Sequence, residues 1–134
     1  MSTRIRFVEP ATFTCVPAAI TTRSPLSTTP ASRAAAIVVP TVSGRTASAV
    51  ARLRPRPPIA AITHREAPAQ QMALEWGVVP LVIPEATDVE DLWSRSIAAA
   101  RDAGVVESGD RVVIAAGTHV NVAGSTNLIR VDTA

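Results

Sequence analysis

From residue 34 onward, short apolar runs alternate with segments of helical spacing. Ala34 to Val39 is a continuous apolar run closed by Pro40, with its β-branched residues side by side. That is the pattern of a strand buried on both faces. Ala47 to Leu53 is rich in helix formers, and Pro55, Pro57 and Pro58 stop it. Ile59-Ala60-Ala61-Ile62 reads as a second strand. Thr63 and Glu66 have the spacing of a capping box for a second helix, with Pro68 early enough to cost no hydrogen bond. On that helix Ala69, Met72, Ala73 and Trp76 recur every three or four residues, which sets Trp76 against the sheet, and Gly77 ends it.

Val78 to Ile83 predicts a third strand, and Pro80, which has no amide to donate, points either to an edge or to the first residues of the strand. Asp88 caps a third helix, with Asp91 three residues later. Leu92, Ser96, Ala99 and Ala103 share one stripe, with Ile97 and Ala100 beside it, and Gly104 closes the helix. Trp93 borders that stripe, half buried or part of an interface. Asp110 to Ala116 holds the fourth strand and Asn127 to Val131 a short fifth. The alternation predicts an α/β fold: a three-layer sandwich around a five-stranded, mostly parallel sheet. The loop before the fifth strand is too short for a helical crossover, so that strand joins antiparallel at an edge.

Residues 1–33 do not share this pattern. They are dense in serine, threonine and proline, contain no glycine and carry a net +3, against about −1 for residues 34–134. No apolar period there is long enough to bury a face, so a poorly ordered head is expected ahead of one folded domain, 34–134. Its arginine- and serine-rich, acid-poor composition fits a targeting segment, and equally a spurious, out-of-frame start. Across all 134 residues, 47% are hydrophobic and 18% charged, which excludes a chain disordered throughout. The net charge of +2 gives no case for nucleic acid or an anionic membrane. No apolar run reaches roughly 18 residues, so no membrane span is expected and the cytoplasm is the expected location. The single cysteine, Cys15, permits neither an internal disulfide nor a cysteine-based metal site.

Ligands of such sheets collect at the carboxyl ends of the strands, where strand order reverses. Two glycine-bearing loops leave carboxyl ends. Thr41, Ser43, Gly44, Arg45 and Thr46 supply three hydroxyls, a tight turn, a guanidinium and the amides of a helix start. These suit a phosphate group, although a plain turn and cap uses the same residues. The second loop, with Gly117, His119 and Gly124, could close the site if the first and fourth strands are neighbours. The glycine spacing and lysine of a Walker A loop are missing. His64 and His119 lack the further ligands of a metal site, and Ser43 has no base at a defined spacing. Asp88, Glu90 and Asp91 read as helix-start residues rather than as a catalytic pair. No catalytic or metal residue is assigned.

Five segments in order carry a resemblance. They are Ala36 to Ala47, Arg54 to Thr63, Leu74 to Pro80, Gly109 to Gly117 and Gly124 to Val131. Together they resemble the C-terminal α/β domain of pyruvate kinases over residues 34–132. The resemblance implies a regulatory, tetramer-forming module of a glycolytic enzyme, which binds phosphorylated effectors at the loop matching Thr41 to Thr46. It also implies that catalysis, phosphoenolpyruvate and ADP to pyruvate and ATP, belongs to a separate barrel that this chain lacks. The Mg and K ions would go with that barrel, leaving no cofactor here. The expected partners are a phosphorylated metabolite and either a second copy or a barrel-bearing chain. An oligomerisation module, or a fragment of a full pyruvate kinase, are the alternatives. The family's effector-binding arginine position falls near Leu92, and His119 and Asn121 stand where small or apolar residues are usual. A simpler phosphate site is therefore expected than the eukaryotic fructose-bisphosphate one.

Overall fold

The computed structural model describes residues 34–119, Val122 and 125–134, together with Phe7–Val8 and Thr12–Phe13. Phe7–Val8 (β1) and Thr12–Phe13 (β2) pair antiparallel as a separate two-stranded sheet. The rest of the head expected to be poorly ordered lies outside the described residues. The main elements are β3 (Ala36–Pro40), α1 (Arg45–Arg52), β4 (Ile59–Thr63), α2 (Glu66–Met72), β5 (Val78–Val82), α3 (Val89–Asp102), β6 (Arg111–Gly117) and β7 (Thr126–Thr133). The sheet order is β5-β4-β3-β6-β7. All neighbours are parallel except β6 and β7, which pair antiparallel at the edge, as the short connection requires.

Burial on both faces follows from the apolar runs, because successive side chains of a strand point to opposite sides. Val38, Ala60, Ile62, Val79, Val112 and Ile114 share one core with Ala100 of α3. Val39, Ile59, Ala61 and Val78 form the other with Ala47 and Ala51 of α1 and Met72 of α2. The expected sandwich is present, and Pro80 stands on an edge strand. In α3, Asp88 caps the helix by accepting the Asp91 amide at 2.7 Å. The buried Ser96 hydroxyl is satisfied by donating to the Leu92 carbonyl at 2.6 Å.

Three local expectations are corrected. Thr63 is not a helix cap: it is the last residue of β4, paired with Val82, and its hydroxyl accepts the Arg65 amide at 3.2 Å. The sheet claims the residue before the helix can, and α2 starts at Glu66 with no side-chain cap. Trp76 is not core. Because α2 stops at Met72, the helical period ends before Trp76, which is 67% exposed with the Arg54 guanidinium 5.5 Å from its ring centre. The final strand is longer than the apolar stretch suggested. Pairing with β6 extends it to Thr133, opposite Arg111, since backbone hydrogen bonds do not require an apolar side chain.

Candidate functional site

Strand order reverses beside β3. The chain runs outward from β3 through β4 to β5, then returns to place β6 on the other side. The loops that leave β3 and β6 therefore flank one crevice at the carboxyl end of the sheet.

The first loop is shaped by hydrogen bonding. Thr41 Oγ1 accepts the Gly44 amide at 3.0 Å, which folds the chain back before α1 and leaves the hydroxyl proton free to donate elsewhere. Gly44 is buried at φ +82°, and a Cβ there would lie 3.0 Å from the Cγ of Met72. A side chain is thus opposed both by the backbone conformation and by the core below it. Arg45 follows as the first residue of α1, with its side chain exposed. The opening amides of that helix have no carbonyl of their own helix to bond. They bring partial positive charge to the crevice.

The second loop reaches the first. Thr46 Oγ1 and Thr126 Oγ1 lie 2.9 Å apart and share a hydrogen bond. The register of β6 and β7 slips between Ala116 and Gly117. There a Cβ on Gly117 would come within 2.5 Å of Ser125 Oγ and 2.7 Å of the Ser125 carbonyl oxygen, so only glycine permits this approach. Asn127 accepts the Thr118 amide at 3.1 Å and donates to the Thr118 hydroxyl at 3.2 Å. His119 is exposed, its Nδ1 3.2 Å from the Thr118 hydroxyl.

Between the loops lies a cleft of about 700 Å³, measured out to its open mouth. Thr41, Ser43, Arg45, Thr46, Gly117 and His119 line it, and Gly44 forms the turn beneath. Gly124 lies outside the described residues. Ile62, His64, Ile83, Pro84, Ala86 and Leu92 also line the cleft; the sequence reading singles out His64, and Leu92 as the place of the family's arginine, but not the other four. The place of Ile62, Ile83, Pro84 and Ala86 at or just beyond the ends of β4 and β5 was the available signal, but none of these four is a residue type that advertises binding. No three His, Cys, Asp or Glu side chains are grouped to hold a metal ion among the described residues.

The family model for "Pyruvate kinase, alpha/beta domain" matches residues 21–132. The chain belongs to the pyruvate kinase alpha/beta domain family. The match begins inside the head, so part of residues 1–33 falls within the family's span. Among relatives of this alpha/beta domain, pyruvate kinase of Geobacillus stearothermophilus is 45% identical over 97 residues, 72% of this chain and 16% of that protein. Those of Agrobacterium vitis and Clostridium acetobutylicum are 43% and 41% identical, each over about three quarters of this chain and 21% of the relative. The chain thus spans about a fifth of the length of these curated relatives. No helix among the described residues of the alpha/beta domain is long and apolar enough to cross a membrane.

Proposed function

We propose that this chain is a regulatory-type domain that binds a phosphorylated metabolite in the cleft and transfers no phosphoryl group by itself. The observation that carries the reading is the meeting of the two loops at the point where strand order reverses. There the hydroxyls of Thr41, Ser43 and Thr46, the Arg45 guanidinium and the start of α1 border one cleft. An anion held there gains from the helix end and from the fork of Arg45, which can bind two oxygens together. Gly117 and His119 belong to the closing side. The setting we propose is cytoplasmic and glycolytic.

Calorimetry with inorganic phosphate, fructose 1,6-bisphosphate, glucose 6-phosphate, ribose 5-phosphate and AMP tests the reading. Binding of at least one of them by the full chain, and its weakening in Arg45→Ala, is the expected result. Silence from all of them at millimolar concentration would remove it. A coupled assay with phosphoenolpyruvate, ADP, magnesium and potassium should stay at background. Turnover of roughly 1 s⁻¹ or more, the lower end of the usual enzyme range, would contradict the second half of the reading.

A second reading, an assembly module, is favoured by β7. This edge strand leaves Ile129 77% and Val131 64% exposed, on alternate positions and therefore on one face. Open edges of this kind accept another strand. A concentration-dependent dimer in sedimentation, abolished by Ile129→Lys, would support it, whereas a monomer at every concentration would oppose it.

A further inference from the structure

The chain holds two histidines, His64 and His119, and both line the cleft. One follows the end of β4 and the other the end of β6, the two strands that flank β3. The Arg45 loop, which leaves β3, therefore has an imidazole on each side. His64 is half-buried and His119 exposed. Among the described residues, Arg45 is the remaining lining residue with an ionisable side chain. Val120, Asn121, Ala123 and Gly124 of the closing loop lie outside the described residues, but none of them has a side chain that ionises. The charged groups on the neighbouring connections are Arg65 and Glu66 after β4, and Glu85, Asp88, Glu90 and Asp91 around the start of α3. None of these lines the cleft. Asp88 is engaged as the helix cap and Asp91 pairs with Arg95 at 2.7 Å.

The cleft thus carries one fixed positive charge and two that appear only on protonation. Arginine keeps its charge at every working pH, whereas an imidazole gains one between about pH 8 and 5. An anion between the imidazoles favours their charged form, and each charged imidazole favours the anion by the same free energy. The sign is definite: the anion-bound state holds more protons, so affinity rises as pH falls and is lost as pH rises. The contact of His119 does not oppose protonation. The Thr118 hydroxyl can turn its proton toward a neutral Nδ1, or accept from a protonated one across the same 3.2 Å. Resting on the anion-site reading above, we infer that His64 and His119 make the cleft a proton-coupled site, which holds a divalent anion more tightly as pH falls.

Calorimetry of the full chain with inorganic sulfate tests this, because sulfate stays divalent where a phosphate gains a proton. At constant ionic strength, affinity should rise about tenfold between pH 8 and 6, the joint effect of two partly screened imidazolium charges. Near pH 6.5, titrations in two buffers of different ionisation enthalpy should show uptake of roughly half a proton to one proton per sulfate. His64→Gln and His119→Gln should each remove part of both effects. The double variant should remove all of both, whatever its affinity at pH 8. His119 is exposed, so its variant keeps the fold, and the proton count on the unaltered chain needs no variant. If sulfate binds with an affinity that pH does not change, or the pH dependence persists in the double variant, this inference falls and the anion site stands. If neither sulfate nor inorganic phosphate binds at any pH, the anion site falls and the inference with it.

Discussion

The two loops that meet over the cleft are held by different means. The β3–α1 loop is anchored from below: Gly44 is buried against Met72, and the chain cannot turn there with an ordinary side chain. The β6–β7 loop is tied mostly by exposed side chains, through Thr118 with Asn127 and Thr46 with Thr126. Among its described residues a steric constraint comes from the contact of Gly117 with Ser125. One loop shares the stability of the core, whereas the described ends of the other are held by bonds near solvent, each worth little on its own. On the proposed reading, an anion would meet one side fixed by the core and one held by surface hydrogen bonds.

Gly44→Val tests the anchor most severely and should have the largest effect. A β-branched residue at φ +82° is strained by about 1–3 kcal/mol, and crowding of Met72 adds a comparable amount. For about 100 folded residues, a total near 3 kcal/mol lowers Tm by on the order of 15 °C. Gly44→Ala should fall between this variant and wild type. A Tm within about 2 °C of wild type for the valine variant would mean that the first loop is not anchored as described.

Arg45→Ala separates binding from folding at the same loop. The side chain is exposed, so unfolding should shift by no more than about 0.5 kcal/mol. Affinity for inorganic phosphate should fall by roughly ten- to hundredfold, the worth of about 1.5–3 kcal/mol of charge-assisted hydrogen bonding. Unchanged affinity would move the anion away from the α1 start.

Gly117→Ala probes the steric point of the second loop. Its methyl would meet both the hydroxyl and the backbone carbonyl of Ser125, so the segment must shift, at about 1–2 kcal/mol. The double variant Gly117→Ala/Ser125→Ala should recover only part of the lost Tm, because the carbonyl remains. Full recovery would show that the hydroxyl alone was in the way.

The same contrast explains what could be read in the sequence. The sheet was legible because continuous β-branched runs such as Ile37 to Val39 have few other uses, and Pro80 marked an edge. Gly44 and its neighbours were legible because a hydroxyl–glycine–arginine series at a strand end combines turn geometry with charge. Trp76 was misread because its spacing from Met72 is helical, and nothing in the periodicity shows that the helix stops four residues earlier. Thr63 was misread because a strand end and a helix cap prefer the same residue type. Ile83, Pro84 and Ala86 were missed as cleft residues because an apolar side chain beyond a strand end carries no mark of a binding role. The extra length of β7 lies in backbone pairing, which leaves no mark on composition.

The smallest expected effect lies at the tie between the loops. Thr126→Val keeps the shape of the side chain and removes the 2.9 Å hydrogen bond to Thr46. Both hydroxyls lie near solvent, so water replaces the lost partner, and the net loss should be about 0.5 kcal/mol, or roughly 2–4 °C in Tm. Thr46→Val removes the same bond from the other side. If the bond acts as a tie, the two changes are not additive: once one hydroxyl is gone, deleting the second costs little. A double-mutant cycle should therefore return a coupling energy near 0.5 kcal/mol. Strict additivity would mean that the hydroxyls meet without holding anything, leaving Asn127 and the Gly117 contact as what positions the second loop. A coupling well above about 1 kcal/mol would place the two hydroxyls in one cooperative unit with the core, and the contrast between the two loops would be lost.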